Sequence, residues 1–309
     1  MDFPRIDEEL RLRRLTPPPV GPGGPRLRMV LDTDTYNEVD DQFAVAYAMC
    51  SEERLSVEAL YAAPFHNVRS SGPADGMERS YAEILRLLER MGRKPGGLVH
   101  RGSTAYLRDR EHPERSEAAS DLVERAMRGS GDDPLYVVAI GAITNVASAL
   151  LMEPEIVRRV VVVWLGGHPV TYDHTREFNL MQDVASSRFI FDCGVPLVQI
   201  PCYGVASHLL TTVEELEAHI GGKNPLCDYL VETVRGYNAD RFAWAKEIWD
   251  VSTIGWLTNP AWVPTSLVHS PVLSEGLTFS IDRTRHFMRT ATFLYRNPIF
   301  ADMFRKIAR

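Results

Sequence analysis

Cysteine is scarce in this sequence of 309 residues, and there is no excess of positive charge. The four cysteines form no C-x-x-C pair, which argues against a zinc site and favours buried free thiols. Aspartate and glutamate number 41 and lysine and arginine 34, so the formal net charge is -7. Because nucleic acids and anionic membrane surfaces favour basic patches, we expect neither as a partner and expect a small molecule instead.

Long hydrophobic runs are also missing. Residues 1–10 are charged and contain no apolar segment of the kind found in secretory signals. No apolar run reaches the length of about 20 residues that a transmembrane helix needs. We therefore expect a soluble, cytoplasmic protein with no membrane partner.

Hydrophobic patterning divides the chain into an N-terminal arm, residues 1–27, and one domain, residues 28–309. The arm combines a charged segment, predicted to be a helix over residues 7–15, with a proline- and glycine-rich linker over residues 17–25. In the domain, Val/Ile/Leu-rich runs alternate with helical patterns. The alternation predicts an α/β fold: a single doubly wound, mostly parallel sheet flanked by helices, with a Rossmann-like core.

The apolar runs predict strands that are buried on both faces. They lie at residues 28–31, 57–62, 135–140, 160–165 and 197–200. Helices are predicted between them at residues 40–51, 76–91, 117–128, 145–151 and 184–193. The region of residues 211–258 is predicted to be mostly helical. Three closing strands follow within residues 266–295, and a last helix covers residues 298–307.

An acidic stretch follows the first predicted strand. Asp32, Asp34, Glu38, Asp40 and Asp41 lie within ten positions, with no Lys or Arg among them. Crowded carboxylates repel one another and resist desolvation unless a cation compensates, and a hard divalent cation with oxygen ligands is the simplest one. Ligands of open parallel sheets bind beyond the carboxyl ends of the strands. The stretch therefore predicts a metal-assisted site at this end of the sheet.

The same residues also match a second motif. Asp32-Thr33-Asp34-Thr35 after an apolar strand fits the D-x-D-x-T pattern of haloacid-dehalogenase-type phosphatases. In that chemistry Asp32 would be the nucleophile and Asp34 the general acid. The phosphatase mechanism does not require the adjacent pair Asp40 and Asp41. We therefore favour the metal site and keep the phosphatase as an alternative.

The whole acidic stretch resembles the D-x-D-x-x-x-D-D signature of the inosine–uridine-preferring nucleoside hydrolase family. Three later segments resemble further signatures of that family, in the same order. They are residues 141–147 (GAITNVA), residues 177–179 (EFN) with Asp183 after them, and residues 246–250 (KEIWD). The resemblance covers nearly the whole chain from residue 28, and four motifs in register are far more specific than one.

The resemblance implies Ca²⁺ as cofactor and hydrolysis of the N-glycosidic bond of a ribonucleoside or related riboside, which releases base and ribose. Asp34, Asp41 and Asp250 would bind the ion together with the Thr144 carbonyl, a mixture of oxygen ligands that suits Ca²⁺. Asp34 would also be the base that activates a water held by the ion. Taken alone, Asp40, Thr144 and Asp250 could each simply cap the helix that follows.

The resemblance also implies the sugar contacts. Asp40, Asn67, Glu177 and Asn179 would bind the hydroxyls, with Asp32 orienting the strand end behind them. Taken alone, Glu177 would be a solvated loop carboxylate and Asn67 a turn residue. Members of this family are commonly dimers or tetramers, so we expect a homodimer or homotetramer.

The sequence departs from the family pattern at three places. Five residues instead of three separate Asp34 from Asp40, which makes Tyr36, Asn37 and Glu38 candidates to reach the substrate. Trp249 occupies the position at which many members carry the histidine that protonates the leaving base. An indole can stack on a base but is not an acid, so we predict Trp249 as a base contact. Thr171 occupies the position of an asparagine that commonly bonds the 5′-hydroxyl.

Activation of the leaving group must therefore be weak or come from another residue. His66, His168 and His174 are the candidates, because each lies in a loop near a predicted strand end. The missing histidine also leaves a non-catalytic riboside-binding protein as an alternative. The base cannot be inferred from these motifs.

Overall fold

We describe a computed structural model of the chain, which covers Pro4 and residues 6–21, 26–129 and 132–309. Residues 22–25 of the predicted linker lie outside the described residues. All four cysteines are free. Among the described residues, no helix has the length and apolar character needed to cross a membrane.

Twelve strands occur among the described residues. In chain order they are β1 (Leu27–Thr33), β2 (Leu55–Ala62), β3 (Val99–Arg101), β4 (Leu135–Ala139), β5 (Val160–Leu165), β6 (Leu197–Ile200), β7 (Leu210–Thr211), β8 (Lys246–Glu247), β9 (Thr265–His269), β10 (Val272–Leu273), β11 (Phe279–Ser280) and β12 (Phe287–Ala291). Eight of them form one sheet in the order β3-β2-β1-β4-β5-β6-β12-β9. Within this sheet, as far as the structure describes it, only the pair β12–β9 is antiparallel, so the prediction of a doubly wound, mostly parallel sheet is confirmed. The short strands β7 and β8, and β10 and β11, form two separate antiparallel pairs.

Eleven α-helices occur in the same part of the chain. They are α1 (Glu8–Leu15), α2 (Asp41–Met49), α3 (Pro73–Arg90), α4 (Glu117–Arg128), α5 (Thr144–Met152), α6 (Phe178–Gln182), α7 (Val184–Asp192), α8 (Val213–Ile220), α9 (Pro225–Tyr237), α10 (Val251–Thr258) and α11 (Arg296–Ile307). Apolar side chains pack on both faces of the sheet. Leu31 belongs to one hydrophobic cluster and its neighbour Val30 to the other, because successive side chains of a strand point to opposite faces.

The arm packs against the sheet. Asp7 caps α1, whose first turn is acidic and last turn basic, as the helix dipole favours. The helix contacts β12, and Leu15 is fully buried in the core. The strand that follows begins at Leu27, one residue before the predicted boundary. The division into arm and domain stays a prediction.

The strand order places the carboxyl ends of β1 and β4 side by side. The chain runs outward from β1 through β2 to β3, and then returns to place β4 on the other side of β1. Asp32 pairs with Ala139, so both strands end at the same level. Such a change of direction opens a crevice between the loops that follow the two strands, where ligands of this kind of sheet bind.

Candidate functional site

A cavity of about 350 Å³ lies at this end of the sheet. Its walls come from the loops after β1, β2, β4, β5 and β6 and from the residues just before α10. Four of the predicted site residues that line it are acidic: Asp40, Asp41, Glu177 and Asp250. Asn67, Asn179 and Trp249 line it too. The fold thus brings together residues that are far apart in the sequence.

Three aspartates form a cluster at the base of the cavity. Asp40, Asp41 and Asp250 are buried, and each offers one carboxylate oxygen within 4.8 Å of the other two. Burial, together with the charge of Asp40, raises the pKa of Asp41 and Asp250 well above its usual range. Carboxylates so close together are stable as anions only if positive charge is added.

Asp34 lies beside this cluster, beneath the cavity lining. It is fully buried, and neither of its carboxylate oxygens accepts a hydrogen bond. Burial and the charges of Asp41 and Asp40 raise its pKa well above the usual range. Buried oxygens without a partner next to three more carboxylates form a donor set that fits a hard divalent cation. The residues therefore fit the predicted metal site.

Asp40 and Asp250 occupy the cap positions of α2 and α10, but neither side chain makes a capping hydrogen bond. The alternative interpretation of these two residues as simple helix caps is therefore wrong. Asp41, the first residue of α2, accepts a hydrogen bond from the hydroxyl of Thr33 at the end of β1. The strand end thus orients one of the carboxylates.

The capping interpretation of Thr144 is also wrong, because α5 begins at Thr144 and Ile143 is the cap residue. The Thr144 hydroxyl donates to Asp183 at 2.7 Å. Next to it, the Asn145 amide donates to Asp32 at 2.8 Å, while burial raises the pKa of Asp32 to about 7. Because the Asn145 amide holds one oxygen of the buried Asp32 carboxylate, Asp32 is a poor candidate for the phosphatase nucleophile.

Glu177 is not a solvated loop residue. Its carboxylate is buried and accepts hydrogen bonds from the backbone amides of Gly167, Asn179 and Leu180 at 2.8–3.0 Å. Asn179 donates from its side-chain nitrogen to the carbonyl oxygens of Ile140 and Leu165, at the ends of β4 and β5. Both side chains are therefore fixed at the cavity wall before any ligand arrives.

A family-wide comparison agrees with this arrangement. The sequence model of the inosine-uridine preferring nucleoside hydrolase family matches residues 29–296. The chain belongs to this family. Nucleoside hydrolases cleave the N-glycosidic bond of ribonucleosides. Membership, together with the inaccessible Asp32, argues against the phosphatase alternative.

Individual relatives are distant in sequence. The pyrimidine-specific ribonucleoside hydrolase RihA of Citrobacter koseri is 26% identical over 250 residues, which cover 72% of this chain and 76% of that protein. The pyrimidine-specific ribonucleoside hydrolase RihB of Escherichia coli is 26% identical over 165 residues, so the matched segment spans 52% of each. This chain thus matches about half the length of that relative.

Solved nucleoside hydrolase structures share the fold. A plant nucleoside hydrolase, PpNRh1, superposes with a TM-score of 0.72 at 19% identity, covering 92% of this chain and 99% of the other. A purine-preferring ribonucleoside hydrolase from Gardnerella vaginalis superposes with a TM-score of 0.71 at 20% identity, covering 91% and 98%.

Aromatic rings form one wall of the nucleoside hydrolase cavity. Tyr203, after β6, lies 5.9 Å from Trp249 and stacks on His168 at 4.5 Å, measured between ring centroids. His168 is 1% exposed, and neither ring nitrogen makes a well-formed hydrogen bond with a described residue. Burial lowers its pKa. Of the three candidate histidines, His168 lines the cavity, whereas His66 and His174 are exposed outside it.

Asn37 and Glu38, two of the three loop residues named as candidates to reach the substrate, line the cavity. Two side chains here were not predicted from the sequence: Tyr203 lines the cavity, and Lys246 forms an ion pair with Glu38 at 2.7 Å. Lys246 lies close enough to Asp40 that its charge opposes the rise of the Asp40 pKa caused by burial. The extra length of the loop after Asp34 was the one sequence signal that pointed to this region. It did not reveal which partners the loop would find.

Proposed function

We propose that this protein is a calcium-dependent hydrolase that cleaves the N-glycosidic bond of a ribonucleoside or related riboside. The observation that carries the proposal is the convergence of Asp40, Asp41 and Asp250 beside the buried, unpartnered Asp34. The family's ordinary activity needs such an oxygen-rich site. A cytoplasmic location and a homodimeric or homotetrameric assembly stay predictions.

Asp34, Asp41 and Asp250, with the Thr144 carbonyl, would hold the cation. Their carboxylates are buried and crowded, and an ion that takes six to eight oxygen ligands, as Ca²⁺ does, suits such a set. When bound, the ion would supply positive charge that lowers the pKa of a water and binds sugar hydroxyls.

Asp34 is our candidate for the general base. Its carboxylate makes no hydrogen bond within the described residues and lies beside the aspartate cluster, so it is placed to accept a proton at that site. The proton comes from the water whose oxygen bonds to the anomeric carbon. As that bond forms, the C–N bond breaks and its electron pair leaves with the base, through an oxocarbenium-like state.

Sugar hydroxyls would be bound by Asp40, Glu177 and Asn179. Asn67, which was predicted with them, is hydrogen-bonded to Asn37 in the loop after β1. Asp40 accepts a hydrogen bond from a hydroxyl, since its carboxylate is at the cavity surface. The Asn179 nitrogen is already used by two carbonyls, which leaves its oxygen to accept from a hydroxyl. Rigid side chains lose little entropy on binding, which favours an ordered substrate.

The leaving base would stack on Trp249 in the aromatic wall. His168 is the described histidine placed to bond a polar atom of the substrate, since it faces the cavity without a partner of its own. The curated relatives are named pyrimidine-specific and one structural neighbour purine-preferring, so the test includes both kinds of base.

The test is a panel of uridine, cytidine, inosine and adenosine, incubated with the protein in calcium and in chelator. Free base and reducing sugar are measured separately. We expect at least one riboside to release both in equal amounts with calcium and neither with chelator. Binding without any release would instead favour the non-catalytic riboside-binding protein, which the missing histidine allows. Release of phosphate from a phosphate ester, with no riboside cleaved, would contradict the proposal.

A further inference from the structure

The loop of residues 35–39, which is two residues longer than the family pattern, is fastened to its surroundings. Arg69 donates to the carbonyl oxygens of Tyr36 and Glu38, at 3.4 and 3.1 Å. The Glu38 carboxylate accepts from Tyr237 at 3.1 Å and from Lys246 at 2.7 Å. Contacts with the β2–α3 loop, the end of α9 and β8 thus hold it in one conformation, which makes it a rigid part of the cavity.

The side-chain amide of Asn67 is hydrogen-bonded to protein groups and not to the open cavity. Its side-chain nitrogen donates to both the carbonyl oxygen and the side-chain oxygen of Asn37, at 3.3 and 2.6 Å. Its side-chain oxygen accepts from the backbone amide of Arg69 at 2.8 Å. The Asn67 nitrogen thus already has two protein acceptors and its oxygen a protein donor. A sugar hydroxyl could bind Asn67 only by competing with these hydrogen bonds.

In Asn37, by contrast, the side-chain oxygen is hydrogen-bonded within the described part of the chain and the side-chain nitrogen is not. Its backbone amide donates to the Asp34 carbonyl at 2.7 Å, and its side-chain oxygen is held by Asn67. Its side-chain nitrogen makes no hydrogen bond to a described residue, and Asn37 lines the cavity together with Asp40 and Asp41. A free N–H donor thus lies beside a cluster of carboxylates, which, when ionised, can accept hydrogen bonds but cannot donate them.

We propose that Asn37 makes the sugar contact predicted for Asn67, and that Asn67 is a positioning residue that acts through Asn37. A hydroxyl of the sugar diol donates its hydrogen to a carboxylate of the cluster and accepts a hydrogen bond from the Asn37 nitrogen. This complements the donor-free cluster, because each hydroxyl needs a donor as well as an acceptor. The inference rests on the proposed function and names a residue that the family motifs do not contain.

The proposal makes sugar recognition depend on the longer loop. A substrate that lacks the bonded hydroxyl leaves the Asn37 donor unpaired in the closed complex, so it is a poorer substrate than the riboside. When the donor itself is removed, this preference shrinks. The ratio of kcat/KM for the riboside to kcat/KM for its deoxy form therefore measures the contact.

The experiment compares Asn37→Asp, Asn37→Ala, Asn67→Ala and the double alanine variant with the wild type in saturating calcium. Asn37→Asp keeps the oxygen that Asn67 bonds but removes the donor. Substrates are uridine and inosine with their 2′-deoxy and 3′-deoxy forms. We expect each single variant to lower kcat/KM for the ribosides about tenfold, with a smaller loss for one of the deoxy forms. The double variant should be no worse than Asn37→Ala, because both remove the same contact.

Asn297→Ala is the matched control, since Asn297 is exposed on α11 and, among the described residues, its side chain hydrogen-bonds only to Arg296. It should leave kcat/KM and the ribose preference unchanged. Equal thermal unfolding of all variants separates a lost contact from a lost fold. The proposal is overturned if both Asn37 variants keep the wild-type ratio of riboside to deoxyriboside, or if the losses from Asn37→Ala and Asn67→Ala multiply.

A failure of the proposed function is a different result. In that case the wild type cleaves no riboside, and the contact is measured by binding of D-ribose in calcium by calorimetry. Weaker ribose binding by Asn37→Asp, with unchanged binding by Asn297→Ala, supports the sugar contact. Equal ribose affinity of Asn37→Asp and wild type overturns it.

Discussion

The chemical role of a single residue depends on the environment in which the fold buries it. Asp34 differs from a surface aspartate because its oxygens are buried and, among the described residues, no group donates a hydrogen bond to them. Asp32, two positions earlier, is equally buried, but one of its oxygens accepts a hydrogen bond from the Asn145 amide, while the other has no partner among the described residues. The two side chains are chemically identical, but the hydrogen bond holds Asp32 in a supporting position, whereas both oxygens of Asp34 are left to bind a cation or a proton.

Asp34→Asn is expected to lower kcat by about 100- to 10,000-fold, the usual contribution of a general base, while the sugar still binds. An amide cannot take up the proton, but it has nearly the same shape. Steady-state kinetics and calorimetric binding of ribose, both in calcium, measure the two effects. Asp173→Asn changes an exposed carboxylate and serves as control. A variant that keeps more than half of the wild-type kcat would rule out Asp34 as the base.

Trp249→Ala is expected to lower kcat/KM by about tenfold or more, because stacking on a base is worth roughly 1–3 kcal/mol. Trp249→Phe keeps an aromatic face and should recover most of this loss. The same panel of ribosides measures both variants. Equal losses for alanine and phenylalanine would mean that the indole contributes by packing and not by stacking.

At the scale of elements, the ends of β1 and β4 must approach closely for the site to form. A Cβ added at Gly141, just after β4, would lie 2.9 Å from the Asp34 Cγ, closer than such atoms normally come. Gly141→Ala should therefore displace Asp34 and weaken both calcium binding and turnover. Gly236→Ala is the control, since a Cβ there meets nothing within 4 Å in α9 and should slightly stabilise that helix. Wild-type calcium affinity and kcat in Gly141→Ala would contradict this account.

Element prediction succeeded where the pattern was long and continuous. The five buried strands and the helices between them are present, because unbroken Val/Ile/Leu runs and helical periodicity report burial directly. Of the three predicted closing strands, the first is divided into β9 and β10, and the other two are present as β11 and β12. Three strands were not predicted: β3, which has three half-exposed residues, and β7 and β8, which have two residues each. Such short segments carry no periodicity and depend on the strands they pair with.

At the scale of the whole molecule, the acidic site links stability to pH and to the cation. Burial raises the pKa of Asp34, Asp41 and Asp250 above the ordinary value of 3.8. The folded chain thus binds these protons more tightly than the unfolded chain does. Without a cation, the stability contributed by the protonated groups is complete below the ordinary pKa and is lost as the pH rises through the raised values.

Calcium should therefore raise the Tm more at about pH 8 than at about pH 5, because protons compete with the cation for the same oxygens. Thermal unfolding in calcium and in chelator at both pH values measures the difference. Asp41→Asn removes one crowded charge, so it should raise the Tm in chelator and reduce the calcium effect. Equal calcium shifts at the two pH values would show that these carboxylates do not bind the ion.

The sequence alone determined the architecture and the chemical character of the site. Hydrophobic runs specify buried parallel strands, and the acidic stretch after β1 required a cation wherever it was placed. These properties depend on short segments of the sequence, so they can be predicted without knowing which other segments pack against them in the fold. The family motifs added Asp250, Glu177 and Asn179, which line the same cavity.

Only the tertiary structure decided which side chains act together. Asp250 reaches Asp40 because α10 begins where the strands end, and His168 faces the cavity while His66 and His174 do not. The donors of Asn67 turn to Asn37 because the longer loop offers them two acceptors. Side-chain direction depends on packing between segments that are distant in the sequence, and no local pattern records it.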